Sequence, residues 1–234
     1  MRIYDMHCHI MPSVDDGAKT KEDSLNMLKK AKENGINYIF ATPHYNEVHG
    51  FLADNTKHID WLTSVATELG ISVFKGCELF ITSNTLEMLS KPNTFTLGQS
   101  NYLLVEFPYS IGFDELIQHI YQIVSMGYIP IIAHIERYYN CYKSDISTLI
   151  KMGALLQVNS TTILKGSFRA KQFCKKLIKN NYVSFIANDA HRADDYNLKQ
   201  CMQYIKKHYG QEMAKDLFVN NANIIVEQNQ KIYA

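Results

Sequence analysis

Five histidines and four carboxylates with the character of metal ligands stand in short motifs spread through this 234-residue chain. They are His7 and His9 in Asp5-Met6-His7-Cys8-His9, Asp16, His44 in Ala41-Thr42-Pro43-His44, Glu78, Glu106, His134 in Ala133-His134-Ile135-Glu136-Arg137, and Asp189 with His191 in Asn188-Asp189-Ala190-His191. Side chains alternate along a strand, so His-x-His aims both imidazoles one way and Cys8 the other. Imidazole and carboxylate donors without a thiolate suit Mn2+, Fe2+ or Zn2+ better than a structural zinc knot. The set exceeds what one ion needs, so a multinuclear site is expected. The chemistry implied is metal-dependent hydrolysis.

The elements that must position these residues are legible in the pattern of apolar runs and breakers. Strands are expected at Arg2 to Cys8, Ile36 to Thr42, Ile71 to Cys77, Tyr102 to Phe107, Tyr128 to Ala133, Ala154 to Val158 and Tyr182 to Ala187. Helices are expected between them. One opens at Thr20-Lys21-Glu22-Asp23 and stops at Asn34-Gly35; others span Asp54 to Leu69, Asp114 to Met126 and Phe168 to Lys179; a short one precedes Gly153, and the remainder after the last strand is largely helical. This alternation makes the fold α/β with a parallel sheet. Every strand but the sixth, which ends at Asn159, ends in or runs into a ligand candidate. A closed barrel brings such ends to one mouth, whereas an open sheet spreads them along an edge. The expectation is an irregular, seven-stranded (β/α) barrel.

Length and 46% hydrophobic content allow one substantial core, so residues 1–234 are expected to form a single domain. Charge is balanced, 24 Lys plus Arg against 23 Asp plus Glu, which leaves no footprint for nucleic acid or an anionic membrane. The first 30 residues carry Asp5, His7, Asp15, Asp16, Lys19 and Lys21, unlike a signal peptide, and no apolar run suits membrane insertion. Five cysteines without a C-x-x-C pair read as reduced thiols of a cytoplasmic protein.

His58, His119 and His208 on expected helices and His49 in a loop serve as controls with no metal role. Asp16 sits in Val-Asp-Asp-Gly, itself a good turn sequence, so Asp15 is an alternative to it. Arginine is scarce: of Arg2, Arg137, Arg169 and Arg192, two flank ligand motifs. The planar fork of Arg137 matches phosphate oxygens, with pairing to a local carboxylate such as Glu136 as the plainer reading. Tyr45, Phe51, Phe80, Phe107, Tyr109, Tyr138 and Tyr139 fall near the expected mouth, where most would be ordinary packing. No cysteine is followed six positions later by arginine, and Gly-x-Ser-x-Gly, Gly-x4-Gly-Lys and Gly-x-Gly-x-x-Gly are absent. Metal-activated water is the mechanism left.

Taken together, these motifs, with Val14-Asp15-Asp16-Gly17-Ala18, Gly76-Cys77-Glu78, Val105-Glu106-Phe107, Ala133-His134-Ile135-Glu136-Arg137-Tyr138 and Gln157-Val158-Asn159-Ser160, resemble the PHP (polymerase and histidinol phosphatase) superfamily. Within it the chain is similar to the bacterial capsule and exopolysaccharide protein-tyrosine phosphatases. The resemblance implies a distorted seven-stranded TIM-like barrel of the PHP type. It also implies a site of three divalent metal ions, most often Mn2+, with Fe2+ and Zn2+ as alternatives. The implied activity is hydrolysis of phosphotyrosine, with the C-terminal tail of a bacterial tyrosine kinase as partner. Carried over by position, it gives His7, His9, Asp16, His44, Glu78, Glu106, His134, Asp189 and His191 as ligands and prefers Asp16 to Asp15. The implied grouping is His7, His9 and Asp189 on one ion, Glu106 and His134 on a second with Glu78 bridging, and Asp16, His44 and His191 on the third. Arg137 is the implied phosphate-binding residue, and His44 and His191 are histidines near enough to assist proton transfer. The segment from Tyr45 to Asn55 does not align with the family. Rival expectations are a phosphatase of a small ester such as histidinol phosphate, or a metal-binding regulatory protein without turnover.

Overall fold

Strand and helix alternate as the patterning requires, and each helix begins and ends for local reasons. The computed structural model describes residues 2–52, 58–90, 95–141 and 144–231, and the side chains of Tyr139, Gln230 and Lys231 lie outside that description. β1 (Ile3–Cys8) leads to α1 (Lys21–Glu33), then to β2 (Ile36–Ala41), β3 (His44–Asn46) and β4 (Phe51–Leu52). Next come α2 (Ile59–Glu68), β5 (Ser72–Lys75), β6 (Glu78–Phe80) and α3 (Ser83–Leu89). β7 (Tyr102–Glu106), α4 (Phe113–Ser125), β8 (Ile129–Ile132) and α5 (Ser147–Lys151) precede β9 (Leu155–Asn159), α6 (Ser160–Lys165) and α7 (Phe168–Lys179). β10 (Phe185–Ala187) is followed by α8 (Leu198–Tyr209), α9 (Gln211–Lys215) and α10 (Asn221–Lys231). The expected N-terminal extension of α2 back to Asp54 falls partly outside the described residues.

Thr20 caps α1 by accepting from the Asp23 amide while the Asp23 carboxylate accepts from the Thr20 amide, a reciprocal box that satisfies two otherwise orphaned donors. Asn34 closes the helix. On α4, Leu116, Ile120 and Ile123 are fully buried at helical spacing, each contributing about 1.5–3 kcal/mol of burial.

β1, β2 and β5 pair in parallel in the order β1-β2-β5, and the other strands form a second sheet, β10-β9-β8-β7-β6-β3-β4. Among the described residues only β3 with β4 is antiparallel. The two sheets join at both sides. β2 passes into β3 across Thr42 and Pro43, where the missing amide of proline breaks the ladder, and the Glu78 N–H donates to the Pro43 carbonyl at 3.0 Å. On the other side the Asp189 N–H donates to the His7 carbonyl and the His9 N–H to the Ala190 carbonyl, each at 2.9 Å. Counting β3 and β6 as continuations of β2 and β5, and leaving β4 as a hairpin arm, this is a distorted seven-stranded TIM-like barrel.

Alternation along the strands splits the apolar residues into two cores. Leu103 and Val105 of β7 face the cluster that holds the helix residues Leu28 and Ile120, whereas Tyr102 and Leu104 pack with Met6, Phe40, Ile131, Phe185 and Ala187. The second cluster is covered by Ala222, Ile225 and Val226 of α10. Beyond it along β7 comes Glu106, and two residues past Ala187 comes Asp189.

Candidate metal centre

All nine expected ligand side chains converge in one cluster. His7 Nε2 and His9 Nε2 lie 3.0 Å apart, and Cys8 between them packs into the helix-facing core. His7 Nε2 is 3.1 Å from Glu78 Oε2 and 3.3 Å from Asp189 Oδ1. His9 Nε2 is 3.3 Å from each of the same two oxygens. His134 Nε2 faces Glu78 Oε1 at 2.9 Å and Glu106 Oε1 at 3.5 Å. His44 Nδ1 lies 3.0 Å from Glu78 Oε2 and 3.8 Å from Glu106 Oε2. Asp16 Oδ1 stands between His191 Nε2 at 3.4 Å and His44 Nε2 at 3.6 Å.

Two of these positions differ from the strand-end expectation. His44 and Glu78 begin strands instead of ending them, because Pro43 and the Gly76-Cys77 step interrupt the ladders. The two are register partners across β3 and β6. The grouping that the resemblance implies falls within the observed clusters and contacts, which add further shared residues. Ligand atoms cluster as His9, Asp16, His44 and His191; as His7, His9, Glu78 and Asp189; and as His44, Glu78 and Glu106. His9, His44 and Glu78 each serve two groups, and His134 stays on Glu78 and Glu106.

Asp15 and Asp16 divide the work that the sequence left open between them. Asp15 is buried and accepts from His9 Nδ1 at 2.8 Å, from the His44 amide at 2.9 Å and from the Gly17 amide at 2.9 Å. Gly17 lies so close to His9 that an added Cβ would collide with the His9 carbonyl oxygen. Since an ionised Asp15 only accepts, His9 carries a proton on Nδ1 and turns Nε2 to the cluster. Asp16, half exposed, points at the rim. His191 Nδ1 lies 3.1 Å from the Asp189 carbonyl, which likewise leaves Nε2 toward Asp16.

The electrostatics fit a cation. Burial opposes ionisation of Glu78 and Asp189, but His7 beside both, with His44 at Glu78 and His9 and Arg137 at Asp189, holds their carboxyl groups well below the usual range. Burial and the adjacent Glu78 charge push Glu106 up to about 8, while burial lowers His44 to about 4. Glu78 Oε2, His44 Nδ1 and His134 Nδ1 are buried without a satisfactory hydrogen bond among the described residues. Unsatisfied lone pairs crowded beside like charges are what a divalent ion relieves. His134 and Asp189 adopt left-handed backbone, φ 32° and 52°, a strain of about 1–3 kcal/mol each that places both side chains in the cluster.

Arg137 reaches a carboxylate distant in sequence. Its Nη2 lies 2.6 Å from Asp189 Oδ2 and its Nη1 donates to the Tyr109 hydroxyl at 3.2 Å. With 39% of the side chain exposed, further N–H donors remain for a ligand. Arg192 is exposed, and its backbone amide donates to Asp195.

The cluster opens into a cleft of about 470 Å3, lined by Asp16, His44 and Glu106 together with Phe51, Phe80, Phe107, Pro108 and Tyr109. Part of the unaligned segment from Tyr45 to Asn55 contributes to this lining as a hairpin of β3 and β4, pinned to α3 by Glu47, which accepts from Asn84 Nδ2 at 2.6 and 2.8 Å; residues 53–55 lie outside the described residues. Tyr45 and Tyr138 do not line the cleft. The Tyr138 hydroxyl is buried and accepts from the Phe107 amide, and the Tyr45 hydroxyl contacts Glu47 and Met88. The Tyr139 side chain is outside the described residues.

The cysteines are all buried and unpaired. Burial pushes the Cys8 thiol well above its ordinary value and Cys141 up to about 12, the opposite of a reactive thiolate. Among the described residues no helix is long and apolar enough to cross a membrane.

Known proteins share this arrangement along nearly the whole chain. Tyrosine-protein phosphatase YwqE of Bacillus subtilis is 30% identical, the match covering 98% of this chain and 93% of that protein. Tyrosine-protein phosphatase CpsB of Streptococcus pneumoniae is 32% identical over 95% of this chain and 97% of that one. A crystal structure from work on those two proteins, described as unique metal-dependent tyrosine phosphatases, superposes with a TM-score of 0.81 at 28% identity and covers 97% of this chain and 93% of its own. The family model for capsular polysaccharide synthesis proteins of the CpsB/CapC type matches residues 3–227, and this chain therefore belongs to the CpsB/CapC family.

Proposed function

We propose that this chain is a metal-dependent protein-tyrosine phosphatase acting in capsule or exopolysaccharide synthesis. The observation that carries the reading is the joining of two features in one cleft, which is lined both by Asp16, His44 and Glu106 of the nitrogen-and-carboxylate cluster and by Phe51, Phe80, Phe107 and Tyr109. The family's named phosphatases support the same activity.

His7, His9, Asp16, His44, Glu78, Glu106, His134, Asp189 and His191 would hold the ions, proposed as three and as Mn2+. When bound, such ions would polarise the phosphoryl oxygens, lower the pKa of water and neutralise charge during in-line displacement. The chain's own residues do the rest. Phe51, Phe80 and Phe107 exclude water around the phenyl ring, and Arg137 presents its free N–H groups to the equatorial oxygens, where charge develops. A tyrosine phenolate has a conjugate acid near pKa ~10, so it leaves with less protonation than an alkoxide needs. His191 and His44 stand at the solvent edge of the cluster, where their metal-facing nitrogens would hold no proton and solvent supplies the one the phenolate needs.

The proposed partner is a phosphotyrosine-bearing protein, specifically the C-terminal tail of a bacterial tyrosine kinase, met in the cytoplasm, where five unpaired thiols are stable. Residues 1–234 are proposed to act as one phosphatase domain. Comparing Mn2+-supported turnover of a phosphotyrosyl peptide with that of histidinol phosphate tests the reading. Preference for the peptide supports it, preference for the small ester reassigns the substrate, and bound ions without turnover of either would make the site regulatory.

A further inference from the structure

β9 ends at Asn159, without a ligand, yet its two inward amides reach three members of the centre, His7, His134 and Asp189. Gln157 Oε1 lies 2.8 Å from the His134 backbone nitrogen and 3.2 Å from His7 Nδ1. Gln157 Nε2 is 2.7 Å from Asn159 Oδ1, and Asn159 Nδ2 is 2.8 Å from Asp189 Oδ2. That same oxygen is the one Arg137 Nη2 reaches at 2.6 Å. Gln157 is fully buried and Asn159 is 5% exposed.

The polarity of this chain has one solution. A backbone amide only donates, so the Gln157 atom facing His134 is the carbonyl oxygen. His7 Nδ1 must then carry a proton, and Nε2 faces Glu78 and Asp189. The Gln157 NH2 group must donate to Asn159 Oδ1, and the Asn159 NH2 group to Asp189 Oδ2. Asp189 is divided in consequence: Oδ2 is taken by Asn159 and Arg137, and Oδ1 faces His7 and His9.

We propose that Gln157 and Asn159 are positioning residues, an amide relay fixed by the His134 backbone that sets the tautomer of His7, the carboxylate orientation of Asp189 and, through Asp189, the place of Arg137. The relay links the metal half of the site to the phosphate half. It rests on the phosphatase reading for its consequences and on the hydrogen bonds alone for its polarity. Outer-shell partners of this kind typically change metal affinity by about 10–100-fold.

The test uses the full chain with Gln157→Met, Gln157→Glu and Asn159→Ala, with thermal unfolding to establish that each folds. Nitrogen-15 NMR of the metal-free protein reads the His7 tautomer, titration calorimetry reads Mn2+ affinity, and inhibition by inorganic phosphate reads Arg137. Wild type should show His7 protonated at Nδ1. Gln157→Met should lose that preference and bind Mn2+ about tenfold or more weakly. Gln157→Glu keeps the acceptor and should retain the tautomer, while its lost donor weakens phosphate inhibition. Asn159→Ala should keep the tautomer and weaken phosphate inhibition as well. A folded Gln157→Met with wild-type His7 protonation and Mn2+ affinity overturns the relay, as does a wild-type His7 with no proton on Nδ1. Those results concern the relay alone. Wild-type protein that binds Mn2+ without hydrolysing a phosphotyrosyl peptide would instead defeat the phosphatase reading, with the tautomer result still standing.

Discussion

The floor and the rim of the centre are built from the same residue types under opposite constraints. On the floor, His7, His9, Glu78 and Asp189 are all buried, and each histidine has its outward nitrogen committed to a partner. At the rim, Asp16 is 49% exposed and His191 26%, with His44 at 13%. Burial makes the floor intolerant, because removing one member of a buried charge cluster leaves the rest uncompensated. The rim is solvated and has slack, which is where substrate must enter and product leave. A site that holds its ions from below and exchanges ligands from above follows from this difference.

Breaking the floor should have the largest effect. Glu78→Gln or His134→Ala should lose metal, and phosphotyrosyl-peptide turnover should fall to background. Saturating Mn2+, which at ~100 times Kd adds ~2.7 kcal/mol of stability to a protein with an intact site, should no longer raise the thermal midpoint of these variants. Asp16→Asn at the rim should keep the floor's metal and lose only part of the rate. If metal analysis found equal losses at Asp16 and Glu78, the distinction between floor and rim would have no energetic content.

Arg137→Ala comes next and separates phosphate recognition from metal assembly. Metal content should stay near wild type while kcat/KM falls on the order of 10²-fold, the scale for a lost charge-assisted contact to the transition state. Unchanged kcat/KM with lowered stability would reduce Arg137 to a structural partner of Asp189. Phe80→Ala on the apolar wall should raise KM for the peptide by roughly tenfold and leave metal content alone. An unaltered KM would move the phenyl ring elsewhere. Thiol alkylation under native conditions should change least, since all five cysteines are buried with no thiolate to attack. Loss of activity with metals still bound would reopen a thiol mechanism.

Much of this was visible in the letters, for a physical reason. Long apolar runs bounded by Asn34-Gly35 or Gly127 declare their strands and helices, so β1, β2, β7 to β10, α1, α4 and α7 appear close to their expected bounds. The three-residue strands β3 and β6 were hidden because no periodicity survives over so short a span, and Pro43 and Gly76 look like terminators. α3 and α6 were missed for the same shortness. Ligand types near apolar-run ends brought out all nine side chains that converge, and the resemblance brought out the bridging place of Glu78, but not the sharing of His9 and His44. Whether Asp15 or Asp16 faced the cluster depended on the His44 amide, 29 positions away. The partner of Arg137 was 52 positions away, beyond any local-pairing argument. Gln157 and Asn159 carry neutral amides, which sequence alone does not mark as belonging to a metal site.

The central claim, that this buried cluster holds the ions that hydrolyse phosphotyrosine, is tested most directly by phosphate release from a phosphotyrosyl peptide. The protein would be stripped by chelator, dialysed and assayed before and after stepwise addition of Mn2+, with bound metal counted at each step. The account predicts no release from the stripped protein and recovery that rises with metal occupancy. Full turnover by protein shown to be free of metal, or full occupancy with no phosphate released, would contradict it.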